Sequence, residues 1–262
     1  MRSKRTIGLI GVLVLALLGL AGVSSQAIAK PDKPTVVLVH GAFADSSSWN
    51  GVIKRLEKSG YPVVAVANPL RSVSGDGTYL KSVLAGIKGP VVLVGHSYGG
   101  QVMTPAATGN KNIKALVYIA AFAPAKGESA LDLTNKFPGS TLGAAVQSIP
   151  LGDGSNDVSI QPAKFREQFM ADVPRKEAAL AAITQRPVRD VALGEAAGDP
   201  AWTSIPSYFL IPTGDRNIPP AVQHFMADRA HAKAVVEVDG ASHAVAVSEP
   251  GDVADLIKRA AR

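Results

Sequence analysis

Val91-Val92-Leu93-Val94-Gly95-His96-Ser97-Tyr98-Gly99-Gly100 is the stretch that decides how this chain folds. A short β-branched run feeds into Gly-x-Ser-x-Gly, and a helical pattern starts at Tyr98. Strand, sharp turn and helix are the context in which a serine hydroxyl is raised above a sheet edge. A β-carbon at Gly95 or Gly99 would crowd so tight a turn. The bland reading is a glycine-rich turn with an incidental serine. The strand ahead of it, and partners elsewhere in the chain, favour a nucleophile.

Outward from this segment, apolar runs recur at Thr35–Val39, Val63–Val66, Ala115–Ala120, Tyr208–Ile211 and Ala234–Val238. Their continuous apolar character suits parallel strands covered on both faces. Helical patterns fall between them, at about 46–59, 78–87, 98–107, 220–229 and 248–259. Ser46 to Ser48 offer caps for the first of these. The alternation predicts a six-stranded, mostly parallel sheet with helices on both faces. From about Pro124 to Ser204 no convincing strand pattern appears, only helix-like pieces at 162–170 and 175–183. This interval reads as a helical cap inserted above the sheet, with Phe137, Phe165, Phe169, Met170 and Trp202 either lining its inner side or forming its own small core. Leu151 to Ser159 reads as a mobile loop.

A serine hydroxyl needs a base within hydrogen-bond reach, and the base needs an orienting partner. His243 follows the last strand and the turn Asp239-Gly240-Ala241-Ser242, at the same carboxyl end of the sheet as Ser97. Asp215 follows the fifth strand in Thr213-Gly214-Asp215-Arg216-Asn217-Ile218-Pro219, between serine and histidine in chain order. Glu128 is the alternative acid, and Asp239 reads as a turn residue. The backbone N–H groups of Tyr98 and Ala42 are the expected oxyanion donors, the second from His40-Gly41-Ala42-Phe43 after the first strand. His40 and His96 read as packing groups beneath the site, and His224 and His231 as surface residues.

The chain has 262 residues, 47% of them hydrophobic, enough for one sizeable core. Its net charge is +6, but Arg2, Lys4 and Arg5 supply three positive charges, leaving 24 Lys and Arg against 21 Asp and Glu. The positive residues are scattered, so no nucleic-acid footprint is expected. No metal-ligand spacing and no dinucleotide fingerprint appear, so no cofactor is expected. There is no cysteine, hence no disulfide, no thiol nucleophile and no lipid anchor through cysteine.

Arg2, Lys4 and Arg5, the apolar run Ile7 to Val23 and the small-x-small Ala27-Ile28-Ala29 read as a secretory signal over residues 1–29, cleaved before Lys30. An uncleaved anchor is the alternative. The expectation is an exported protein, periplasmic or secreted, with residues 30–262 as one domain and no stable membrane insertion after cleavage.

The ordered set His40-Gly41, Gly95-His96-Ser97-Tyr98-Gly99-Gly100, Gly214-Asp215 and Ser242-His243 resembles the α/β-hydrolase superfamily. Within it the chain is similar to the compact branch of plant methyl esterases, hydroxynitrile lyases and bacterial serine esterases. The resemblance runs from about Thr35 to Arg259, the cap contributing Pro174 to Leu180 and Arg186-Pro187. It implies the α/β-hydrolase fold, a Ser97–His243–Asp215 triad, Ala42 and Tyr98 as oxyanion donors, and an acyl-enzyme. Lyases of this branch carry threonine and lysine where Gly41 and Ala244 stand, which favours ester hydrolysis, and the apolar cap suggests a small or medium apolar carboxylic ester. Many relatives have glycine where Pro212 stands, a departure close to Asp215. Lactonase, amidase and C–C hydrolase or lyase chemistry remain alternatives on this fold. So does a non-catalytic, exported ligand-binding protein. Oligomeric state is left open.

Overall fold

A computed structural model of the chain describes residues 33–262, so the expected signal segment lies outside the described residues. Six strands form one parallel sheet: β1 (Thr35–Val39), β2 (Val63–Val66), β3 (Val91–His96), β4 (Ile113–Ile119), β8 (Ser207–Pro212) and β9 (Ala234–Val238). Their order is β2-β1-β3-β4-β8-β9, with β3 near the middle. All six apolar runs of the sequence are therefore strands of this sheet.

Successive strand residues point to opposite faces. Val36, Leu38, Val92, Val94, Val117 and Leu210 pack under α1 (Asn50–Lys58), α10 (Val245–Ser248) and α11 (Pro250–Ala260). Val37, Val39, Leu93, Leu116, Tyr118 and Phe209 pack under α2 (Val73–Ala85), α3 (Tyr98–Ala107) and α9 (Pro220–Arg229). Burial on both faces is why these strands are apolar throughout rather than alternating.

α2 begins at Val73, five residues before the sequence pattern suggested. Ser72 caps it, accepting from the Gly75 N–H. Gly75 and Gly77 disguise the start. A β-carbon on Gly77 would lie 2.4 Å from Pro105 Cγ, so glycine there permits close packing of α2 on α3. Asp45, rather than Ser46 to Ser48, caps the turn that leads into α1.

The insertion between β4 and β8 is not purely helical. It contains α4 (Ala130–Thr134), α5 (Leu142–Ala145), α6 (Pro162–Phe169), α7 (Arg175–Thr184) and α8 (Asp190–Gly194). It also holds an antiparallel sheet of β5 (Val146–Pro150), β6 (Asn156–Ile160) and β7 (Val188–Arg189), in the order β5-β6-β7. This corrects two expectations, the absence of strands and the mobile loop at 151–159. These strands are short, β5 mostly exposed and β6 mostly half-buried, so they lack a long apolar run. The turn between β5 and β6 is tied down: Leu151 N–H donates to Ser155 O, and Arg189 binds both Asp153 and Ser155 Oγ.

Candidate active site

Ser97 stands between β3 and α3 with φ 53° and ψ −125°, a conformation that side chains rarely adopt. Its neighbours hold it there. Its N–H reaches the Ile119 and Ala120 carbonyls, and its own carbonyl accepts from Gly100 and Phe122 N–H. A β-carbon on Gly95 would lie 2.7 Å from Gly100 N, and one on Gly99 would lie 2.4 Å from Val39 O. The glycines of the turn are therefore a steric requirement.

Asp215 and His243 meet at the carboxyl end of β8 and β9. His243 Nδ1 lies 2.7 Å from Asp215 Oδ2, with both side chains fully buried. Asp215 Oδ1 accepts from the Asn217 and Ile218 N–H groups at 2.8 and 3.0 Å, and Oδ2 also accepts from Gln223 Nε2 at 2.9 Å. Four donors converge on one carboxylate, so it stays an acceptor and Nδ1 carries the proton. Pro212 does not prevent this, because the loop after it closes through Asp215 N–H to Pro212 O and Gly214 N–H to Ala241 O. His243 Nε2 is buried and has no hydrogen-bond partner among the described residues; none joins it to Ser97 Oγ. The ring of His96, the residue before Ser97, lies 4.8 Å from the His243 ring, and His96 Nε2 donates to His243 O.

Glu128, the alternative acid, is committed elsewhere. Arg229 binds both its oxygens, at 2.9 and 2.6 Å, which holds its carboxyl below the usual range. Asp239 Oδ1 accepts from Thr213 Oγ1 in the turn. His224 lies beside Glu237 on the surface, and His231 is exposed.

The loop after β1 passes directly over Ser97. A β-carbon on Gly41 would lie 2.5 Å from Ser97 Cβ, so only glycine fits. His40 anchors this loop: Nδ1 donates to Gly41 O, and Nε2 accepts from Asn68 N–H. Burial lowers the pKa of His40, and that of His96 to about 3, so both are neutral packing groups. The Ala42 and Tyr98 N–H groups donate to no backbone carbonyl among the described residues, and both residues face the space above Ser97. The Tyr98 hydroxyl donates to Asp76, a buried carboxylate on α2 that the sequence did not single out.

A cavity of about 490 Å³ opens at Ser97. Ala42, Phe43, Tyr98 and Phe122 bound it from below, and Leu131, Leu142, Val146, Val158 and Leu193 from the cap. The cap aromatics do not line it, so they fit the other expectation, a small core of their own. Phe165 and Phe169 are buried in α6, and the Phe169 ring packs edge-on against His243 at 5.1 Å. Phe137 packs on Phe225, Trp202 donates to Pro124 O, and Met170 borders a different cavity.

The alpha/beta hydrolase family profile matches residues 36–256. A putative chloroplastic methylesterase 13 of Arabidopsis thaliana is 29% identical over 82% of this chain, which spans 53% of that longer protein. The alpha-hydroxynitrile lyase of Arabidopsis thaliana is 25% identical, covering 84% of this chain and 94% of the lyase. Among solved structures, polyneuridine aldehyde esterase superimposes with a TM-score of 0.76 over 87% of this chain and 99% of its own, at 22% identity, a likeness of fold.

Proposed function

We propose that this chain, which belongs to the alpha/beta hydrolase family, hydrolyses carboxylic esters of small molecules with Ser97 as nucleophile, His243 as base and Asp215 as its partner. Esterases among its relatives support ester hydrolysis at the level of the family. One observation carries the assignment of residues: a buried carboxylate–imidazole pair at the same carboxyl end of the sheet as a strained serine that faces an apolar cavity.

The chemistry is two-step acyl transfer. His243 Nε2 takes the Ser97 proton as Oγ attacks the ester carbonyl. Ala42 and Tyr98 N–H groups hold the oxyanion; losing one such donor costs on the order of a hundredfold or more. The tetrahedral intermediate expels the alcohol, which takes its proton from His243. Water, deprotonated by the same imidazole, then releases the acid and restores the serine. Asp215 holds the ring in the tautomer that leaves Nε2 free. Gly41 and the buried Ala244 supply no lysine to receive cyanide, which argues for hydrolysis over lyase chemistry.

The test is labelling of Ser97 by a small fluorophosphonate, with p-nitrophenyl esters of graded chain length assayed against Ser97→Ala. Labelling and activity lost in the variant are the expected result. Equal hydrolysis by both proteins overturns the assignment. Absence of labelling in folded protein favours a ligand-binding role, and turnover of lactones or amides in preference to esters moves the reaction class. We also propose export with cleavage after Ala29. Sequencing of exported protein then begins at Lys30, and an intact Met1 in the membrane fraction overturns it.

A further inference from the structure

A second cavity, also of about 490 Å³, lies beside the first, and Phe43 borders both. Otherwise their linings differ. The Ser97 chamber is largely apolar, whereas the second cavity carries Asp45, Lys54, Glu177 and Gln185 at its wall. Phe43 is held firmly between them. Its backbone has φ 62°, its N–H donates to Arg186 O, and its ring meets Phe169 edge-on at 6.3 Å and 87°. Only 4% of the residue is exposed.

The chemistry decides which part of an ester this wall faces. His243 must protonate the departing alcohol, so the alcohol oxygen leaves on the imidazole side of Ser97. Phe169 lies on that side, edge-on to His243 and also against Phe43. Met170 and Val247, which follow the contacts of the histidine loop, border the second cavity. Phe43 is thus joined through Phe169 to the imidazole side of the site, while Leu131, Leu142 and Val158 line the apolar chamber.

We propose that Phe43 is a specificity-determining residue: its ring separates the Ser97 chamber from the second cavity and limits the size of the alcohol portion. The inference rests on the reading of Ser97 as the nucleophile. Removing the ring joins the two spaces and admits bulky or polar alcohols.

The experiment compares ethyl and benzyl butyrate with parent, Phe43→Ala and Phe43→Leu. The expected result is a rise of about tenfold or more in the benzyl-to-ethyl ratio of kcat/KM for Phe43→Ala, the lower end of what a single methylene can decide in an apolar pocket. Phe43→Leu should fall between. Adding Ala181→Phe, which fills the second cavity, should return the ratio of Phe43→Ala toward the parent value. An unchanged ratio in both single variants, or no reversal by Ala181→Phe, overturns the proposal. Ratios are read on protein that labels with the small fluorophosphonate. Failure of the parent to label sinks the Ser97 reading itself, whereas labelling with a flat ratio sinks only the role of Phe43.

Discussion

His243 Nδ1 and Asp215 Oδ2 lie 2.7 Å apart with neither side chain exposed, although 28 residues separate them in the chain. Asp215 spends its remaining acceptor sites on Asn217, Ile218 and Gln223, so its position is set by its own loop and by α9. Asp215→Asn keeps the shape and replaces an acceptor with a group that can donate, which favours the wrong imidazole tautomer. Turnover should fall by roughly ten-thousandfold while the fold persists. Glu128→Gln breaks a pairing with Arg229 instead, and should leave kcat within a fewfold. Steady-state kinetics on both variants checks this, and a larger loss in Glu128→Gln would reverse the choice of acid.

Gly41 makes the sharpest steric prediction. Its hypothetical β-carbon would fall 2.5 Å from Ser97 Cβ and 3.2 Å from Oγ. Gly41→Ala must therefore push the loop after β1 away from the serine and shift the Ala42 N–H with it. Loss of a hundredfold or more in kcat, the scale of a missing oxyanion donor, is expected. Because the clash is confined to this loop and the turn between β3 and α3, the bulk of the sheet and helices is retained and far-ultraviolet circular dichroism should stay unchanged. Normal kinetics in this variant would show that Ala42 is not a donor.

The parallel sheet was legible because each strand is buried on both faces and so reads as an unbroken apolar run. The placement of Ser97 was legible because its turn demands glycine at fixed offsets, and the meeting of Asp215 with His243 because they close the two strands that follow the cap. The cap strands were not legible. Gln147, Ser148 and Ile149 of β5 are exposed, and a strand with so little burial leaves no apolar pattern. Nor was Asp76, whose role depends on α2 meeting α3, a contact between segments that carry no shared motif. The Gly75-Asp76-Gly77 run looks like a turn until Pro105 is seen against Gly77.

Asp76 and Tyr98 form a buried pair whose removal separates structure from chemistry. The Tyr98 hydroxyl donates to Asp76 at 3.0 Å, and both Asp76 oxygens accept from Arg71 N–H. Burial pushes the Asp76 carboxyl up and the Tyr98 phenol up, the latter helped by the neighbouring carboxylate. Tyr98→Phe leaves a buried carboxylate short of a donor, which costs about 1–3 kcal/mol. Urea unfolding should show that loss. In Asp76→Asn/Tyr98→Phe the two effects should not add, because they delete one interaction. Strict additivity would mean the pair is not coupled.

Stability should decline on acidification through His96. Its ring is enclosed by Trp49, Phe169 and His243, and burial, then the neighbouring His243, holds its pKa down to about 3. In the unfolded chain the same imidazole titrates near 6.5. As pH falls below about 6.5 the unfolded state gains a proton that the folded state refuses. Stability present above that value is therefore lost progressively toward pH 3. His40, also lowered by burial, acts in the same direction, while the raised carboxyl of Asp76 acts in the opposite one. The sum obscures any one group, so the informative quantity is a difference. His96→Asn retains a neutral donor near His243 O and removes the titration. Its unfolding free energy, measured by urea between pH 7 and pH 4, should fall less steeply than that of the parent. Parallel curves would show that His96 takes up its proton in the folded protein as readily as in the unfolded chain.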